Sequence, residues 1–273
     1  MAGFTWALGE LRGAQKSSKG VSYYSRWINR PLGRVLAAAA YPTGLTPNAV
    51  TGISALVTGC GIALIALVPP SWPLTVGVAA LLVLGFALDS ADGQLARLRR
   101  AGSPVGEWLD HTVDVAKMLT LHLALLVAFY RFYHLGQPGP QHRSAAALAM
   151  PLAYQVTAVV TFFGGILTEQ LKRAHARAPG AAGRAAEAPS ALRSLLLLPA
   201  DYGLFCLLFL SYGGGRRVFL TVYALLLLAN AVLMPALLVK WFRELSALGR
   251  LSAIPGSPAG EISEAPRTPS ALS

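Results

Sequence analysis

The sequence predicts an all-α integral membrane protein, with six transmembrane helices preceded by a juxtamembrane interfacial segment. Three observations carry that prediction. The 273 residues are 54% hydrophobic and only 13% charged, an apolar excess that a soluble domain of this size does not carry. Six windows approach the roughly 20 apolar residues a spanning helix needs: about 45–69, 73–97, 105–131, 146–171, 190–212 and 217–241. Lys and Arg are also distributed unevenly between the intervening loops. One set of segments holds Arg12, Lys16, Lys19, Arg26, Arg30 and Arg34, then Arg97, Arg99 and Arg100, then Lys172, Arg173, Arg177, Arg184 and Arg193, then Lys240, Arg243, Arg250 and Arg267. The other set holds only Arg131, Arg143, Arg216 and Arg217. By the positive-inside rule both termini lie on the cytoplasmic side, which requires an even number of spans.

Residues 1–20 contain no apolar run leading to a small-residue cleavage site, so no signal peptide is expected, and they are expected to be a flexible N-terminus. Residues 21–44 form the juxtamembrane amphipathic segment. Arg26, Arg30 and Arg34 recur every fourth residue, with Tyr23, Tyr24, Trp27, Leu32, Val35 and Leu36 between them. That pattern suits a helix lying at the headgroup level, and equally a basic flank that only sets topology. Pro31, lacking an amide hydrogen, is expected to start a helical piece or kink one. The six-helix domain covers 45–245. Its first span opens at Thr46-Pro47, an N-cap followed by proline at the first helical position. The window 190–212 is interrupted by Pro199-Ala200-Asp201-Tyr202-Gly203 and is the least regular. Residues 174–189 read as an Ala/Gly/Pro-rich cytoplasmic loop, and 246–273 as a disordered tail.

Composition also excludes. The net charge is +11, but the basic residues are scattered among apolar segments, which fits an anionic membrane surface and not nucleic acid. Cys60 and Cys206 each sit inside an apolar run with no CxxC or Cys/His cluster, so neither a zinc nor a redox site is supported. They read as small packing residues.

The chemistry concentrates between Leu88 and Asp114, where Asp89, Asp92, Glu107, Asp110 and Asp114 interrupt two apolar stretches. Unpaired carboxylates at such positions are expensive, and their mutual repulsion demands something positive between them. Arg97 and Lys117 supply part of it; hard divalent cations with oxygen ligands are the better match. Asp89 and Asp92 are i,i+3 on the second span, and Asp110 and Asp114 are i,i+4 on the third. The short connection between these spans makes them neighbours, so the two pairs can face each other and hold one or two Mg²⁺ or Mn²⁺ ions. Two such ions can clamp an in-line displacement at phosphorus. Gly93, Ala96 and Gly106 leave room for a ligand close to the backbone, and Arg97 offers a planar fork for a phosphate.

Asp89-x-x-Asp92-Gly93-x-x-Ala96-Arg97, eight residues, then Gly106-x-x-x-Asp110-x-x-x-Asp114 resembles the signature of the CDP-alcohol phosphotransferases, also called CDP-alcohol phosphatidyltransferases. Leu45 to Thr51, "LTPNAVT", resembles a second feature of that family. The resemblance implies transfer of a substituted phosphoryl group from a CDP-linked donor to an alcohol, with release of CMP. It implies that Asp89, Asp92, Asp110 and Asp114 bind a divalent metal pair and that Asp114 is the general base. It implies that Gly93, Ala96 and Arg97 border the cytidine and diphosphate, with Asn48 and Thr51 at the donor site, and it implies a homodimer. The donor it points to first is CDP-diacylglycerol; CDP-inositol or CDP-choline/ethanolamine is the alternative. Glu107 and His111 look more like the choline/ethanolamine branch, which makes His111 a rival base, whereas residues 21–51 look more like inositol-phosphate-type members.

Further residues are assigned more weakly. Lys117 either balances charge inside the bundle or binds a substrate phosphate. Lys172, Arg173 and Arg193 either set topology or form the acceptor pocket. Asp201 reads as a hydrogen-bonded structural residue, and His122 as a packed polar residue within the third span. Two functions of other classes compete with the transferase. A cation transporter explains intramembrane carboxylates but not Gly93, Ala96, Arg97 and their spacings. A catalytically silent membrane scaffold is at odds with the presence of all four aspartates.

Overall fold

A computed structural model describes residues 3–13, 22–136, 145–176 and 197–252, and among these there is no strand. Eight α-helices are described: α1 (Phe4–Gly13), α2 (Arg30–Ala40), α3 (Pro47–Leu67), α4 (Trp72–Leu98), α5 (Pro104–Arg131), α6 (Ala149–Ala176), α7 (Tyr202–Leu208) and α8 (Arg216–Ser252). Among the described residues, five segments are long and apolar enough to cross a membrane: Pro47–Leu67, Trp72–Leu98, Pro104–Arg131, Ala146–Ala176 and Arg216–Leu248. The expected span at 190–212 is not among them. Its described part holds a 3₁₀ turn, Leu198–Ala200, then the short apolar helix Tyr202–Ser211. Proline at 199 and an N-cap at Asp201, whose carboxylate accepts from the Gly203 amide, restart the helix where a continuous span would have to run.

The chain divides into two compact units, residues 1–159 with 188–231, and 160–187 with 232–273. In the first unit α4 is the central element, packed by α2, α3 and α7. The α3–α4 contact is close because Gly85 has no side chain: a Cβ there would collide with the Thr58 hydroxyl, and Ser54 donates to the Gly85 carbonyl at 2.8 Å. Small residues and hydroxyls at the seam are what hold helices together where apolar burial gives no net drive. An aromatic core of Phe129, Phe205, Phe209, Tyr212, Phe219 and Tyr223 fills one part of this unit, and a smaller cluster of Ala37, Ala38, Val50, Ala91 and Leu95 fills another.

The expectation of a flexible stretch over 1–20 does not hold at Phe4–Gly13. Ala7 and Leu11, one turn apart, are fully buried in the smaller cluster, and the Trp6 ring meets Tyr41 at 5.4 Å. Pro31 acts as expected on the local backbone. The turn before it, Ser25–Asn29, is π-helical, with the Arg30 amide bonded to the Ser25 carbonyl. The wider turn accommodates a ring that would otherwise crowd the preceding carbonyls. One side of this segment, with Tyr23, Trp27, Ile28, Leu32 and Val35, is exposed.

In the second unit Gly164 and Gly165 pack on the Trp241 ring, and Lys172 bonds Glu244 at 2.5 Å. Helix α8 continues through Ser252, past the boundary expected at 246; the rest of the tail lies outside the described residues.

Candidate active site

Two capped helix starts and one tight turn build the site. Thr46 caps α3 by accepting from the Ala49 amide at 3.2 Å, with Pro47 at the first position as expected. Ser103 caps α5, accepting from the Gly106 amide at 3.0 Å. Between α4 and α5 the chain reverses in five residues, Arg99 to Ser103, with Arg100 at φ 52° and the Ala101 amide closing onto Ala96. Arg99 ties this turn to the α2–α3 connection, donating to the Tyr41 carbonyl at 2.8 Å and to Gly44 at 3.3 Å. The last turns of α4 are thereby held against the first turns of α5 and α3.

On this frame the four aspartates come together. Asp114 lies within electrostatic reach of Asp89 and Asp110. Asp92, only 6% exposed, lies within electrostatic reach of Asp89 and Asp110, and accepts from the Thr51 hydroxyl at 2.5 Å. Oxygen and nitrogen atoms of Asp110, His111 and Asp114 lie within 4.8 Å of one another, a spacing that fits a metal ion. His111 stands 3.7 Å from Asp110 and 3.9 Å from Glu107. Lys117 is buried among the acids, its ammonium 2.5 Å from Asp89 and 3.4 Å from Asp114, and it donates to Ser54 at 3.0 Å.

The predicted donor-side residues surround this cluster. The Arg97 guanidinium lies over Gly93, 3.6 Å from where a Cβ would stand, and interacts with Asp92. The Asn48 amide oxygen would be 3.1 Å from a Cβ at Gly106, so the glycine admits the polar tip of α3. Ala96 is half-buried on the same turns of α4. Lys172 and Arg173 belong to the second unit, and Arg193 lies outside the described residues. Asp201 is structural as expected, accepting from the Ser25 and Gly203 amides at 3.0 and 2.7 Å.

Two residues at the cluster escape the sequence reading. Ser54 sits one turn after Thr51 on the same face of α3; the i,i+3 spacing is visible, its partner Lys117 is not. Arg30 is expected from its four-residue repeat to face headgroups or only to set topology. It is half-buried, its carbonyl accepting from Gln94 of α4 at 3.0 Å. Burial, and then the like charges of Arg97 and Arg26, push its guanidinium below the ordinary value, so a second guanidinium stands near Arg97.

An apolar helical bundle with one buried and three half-buried aspartates and flanking guanidinium groups makes a site suited to a divalent cation and a phosphate-bearing ligand. The chain belongs to the CDP-alcohol phosphatidyltransferase family, whose model matches residues 44–240. Comparison with curated proteins finds no match. Membership makes the chain a transferase of the CDP-alcohol phosphotransferase type, one that takes a phosphatidyl group from a CDP-alcohol.

Proposed function

We propose that this protein transfers the phosphatidyl group of CDP-diacylglycerol to the hydroxyl of a polar alcohol or polyol phosphate in phospholipid biosynthesis, releasing CMP. The observation that carries the reading is the meeting of Asp89 of α4 with Asp114 of α5 around one ammonium, with Asp92 and Asp110 within electrostatic reach of Asp89 and Asp114 respectively and Arg97 over Gly93. Four carboxylates exceed what Lys117 can neutralise, and their donor set is all oxygen, so it fits Mg²⁺ or Mn²⁺. Asp89, Asp92, Asp110 and Asp114 would hold the pair. When bound, the ions would neutralise the diphosphate and make CMP a better leaving group.

The protein's own groups do the rest. Asp114 takes the proton from the acceptor hydroxyl. The acceptor oxygen forms a bond to the phosphatidyl phosphorus, and the bond from that phosphorus to the oxygen bridging it to CMP breaks, its electron pair leaving with CMP. Lys117 positions Asp89 and Asp114, while Thr51 holds Asp92 by donating to it. Arg97 fixes the diphosphate with a bidentate fork, with Asn48, Gly93 and Ala96 bordering the nucleotide. Lys172, Arg173 and Arg193 remain the proposed acceptor-phosphate residues. The proposal includes a homodimer in the cell membrane, with the site and both termini cytoplasmic, the interrupted stretch 190–212 making the sixth crossing that this requires, and the segment 21–44 at the headgroup level.

A second reading keeps the chemistry with a soluble donor of the CDP-choline/ethanolamine or CDP-inositol type. It is favoured by one observation, His111 seated between Glu107 and Asp110. Purified protein incubated with each donor and pooled polyols and polyol phosphates, with products read by mass spectrometry, separates the two. A phosphatidyl-polyol product with CDP-diacylglycerol supports the first. CMP release from the soluble donors alone overturns it.

A further inference from the structure

At the ends of α3 and α5 remote from the aspartates, the first unit contains a second polar feature: an open cleft of about 720 Å³. From Asp114 to Arg131 along α5 is 17 residues, roughly 25 Å at the helical rise of 1.5 Å per residue. The cleft is walled by the 69–70 turn, residues 131–134 after α5, and the 212–218 stretch that opens α8. Arg131, His134, Arg216 and Arg217 line it and no lining residue is acidic.

These arginines are aimed by the fold. Arg131 donates one N–H to the Ala66 carbonyl at 2.9 Å and packs over the Phe132 ring, its Cζ 5.2 Å from the ring centroid. Arg216 donates one N–H to the Tyr133 carbonyl at 3.2 Å. Each bond fixes the guanidinium and uses one of its five donors. Arg217 is exposed. Three guanidinium groups in one acid-free cleft demand an anion. The surroundings say which kind: Leu67, Trp72, Tyr130 and Val218, next to the cleft in the chain, are all more than half exposed, the apolar and aromatic border of a membrane interface.

We propose that this cleft binds the phosphate of an anionic phospholipid headgroup, at the face of the membrane opposite the transfer site. The lipid's acyl chains lie along the exposed apolar border, and its phosphate is held by Arg131, Arg216 and Arg217. Binding here is separate from the chemistry at Asp114, so it survives the failure of the transferase reading.

The test is native mass spectrometry of the full-length protein in mild detergent, equilibrated with phosphatidylglycerol, phosphatidylcholine or inorganic phosphate. The wild type is expected to retain phosphatidylglycerol in preference to phosphatidylcholine. Arg217→Gln is expected to weaken that retention about fivefold, the worth of one basic side chain at an anionic surface, with CMP release unchanged. Arg216→Lys, which keeps the charge but loses the fork, is expected to weaken it less. Equal retention of both lipids, retention unaffected by Arg217→Gln, or displacement of the lipid by stoichiometric inorganic phosphate would overturn the proposal.

Discussion

Lys117 is the residue on which the aspartate cluster is balanced: one buried ammonium touches Asp89, Asp114 and Ser54. Removing a buried partner leaves the opposite charges uncompensated. Lys117→Met is therefore expected to destabilise the protein by about 3 kcal/mol, read as a lower thermal midpoint in detergent, and to lower turnover as well. Asp114→Asn keeps the shape and loses the proposed base. It is expected to cut CMP release by about 10²- to 10⁴-fold with a smaller change in thermal midpoint. Spacing alone marks Asp89, Asp92, Arg97, Asp110 and Asp114, because periodicity puts chemically alike residues on one face. It does not reveal Ser54 or Arg30, whose roles depend on which helix packs against which face, a fact held in α3–α5 and α2–α4 contacts and not in local pattern.

At the level of elements, the seam between α3 and α4 sets the site's geometry. Gly85→Val is expected to destabilise by about 1–3 kcal/mol, since its side chain must displace Thr58. Gly77→Ala on the same helix meets nothing within 4 Å and is expected to be neutral or stabilising by up to about 1 kcal/mol. Thermal midpoints of the two variants, measured side by side, check the claim. A second polar pair ties α5 to α8, His122 Nδ1 with the Tyr223 hydroxyl at 2.9 Å. Tyr223→Phe should cost about 1 kcal/mol in the same assay. The five long apolar helices are legible because length and composition suffice to define them. The stretch 190–212 is not, because Pro199 and Asp201 divide it, and hydropathy averages over such a break. Helix α1 is equally hidden: Ala7 and Leu11 are a single turn's worth of pattern, and tertiary burial decides its structure.

The molecule as a whole is proposed to bring a water-soluble nucleotide and a lipid together at one membrane face. Ser103, in the α4–α5 turn, and Gly214, before α8, lie at opposite ends of the long helices. In a background lacking Cys60 and Cys206, Ser103→Cys is expected to react with an impermeant thiol reagent only from the cytoplasmic side, and Gly214→Cys only from the other. The family and its chemistry were legible in one 26-residue stretch, whereas the acceptor was not, because an acceptor pocket is formed by side chains distant in sequence. The most direct measurement is CMP release by purified protein supplied with CDP-diacylglycerol and pooled polyols and polyol phosphates, with and without Mg²⁺ or Mn²⁺, in the wild type, Asp114→Asn and His111→Ala. The expected result is metal-dependent CMP with an equal yield of phosphatidyl product, abolished by chelator and by Asp114→Asn and retained in His111→Ala. No CMP from the wild type, or turnover that survives Asp114→Asn and is lost in His111→Ala, would contradict it.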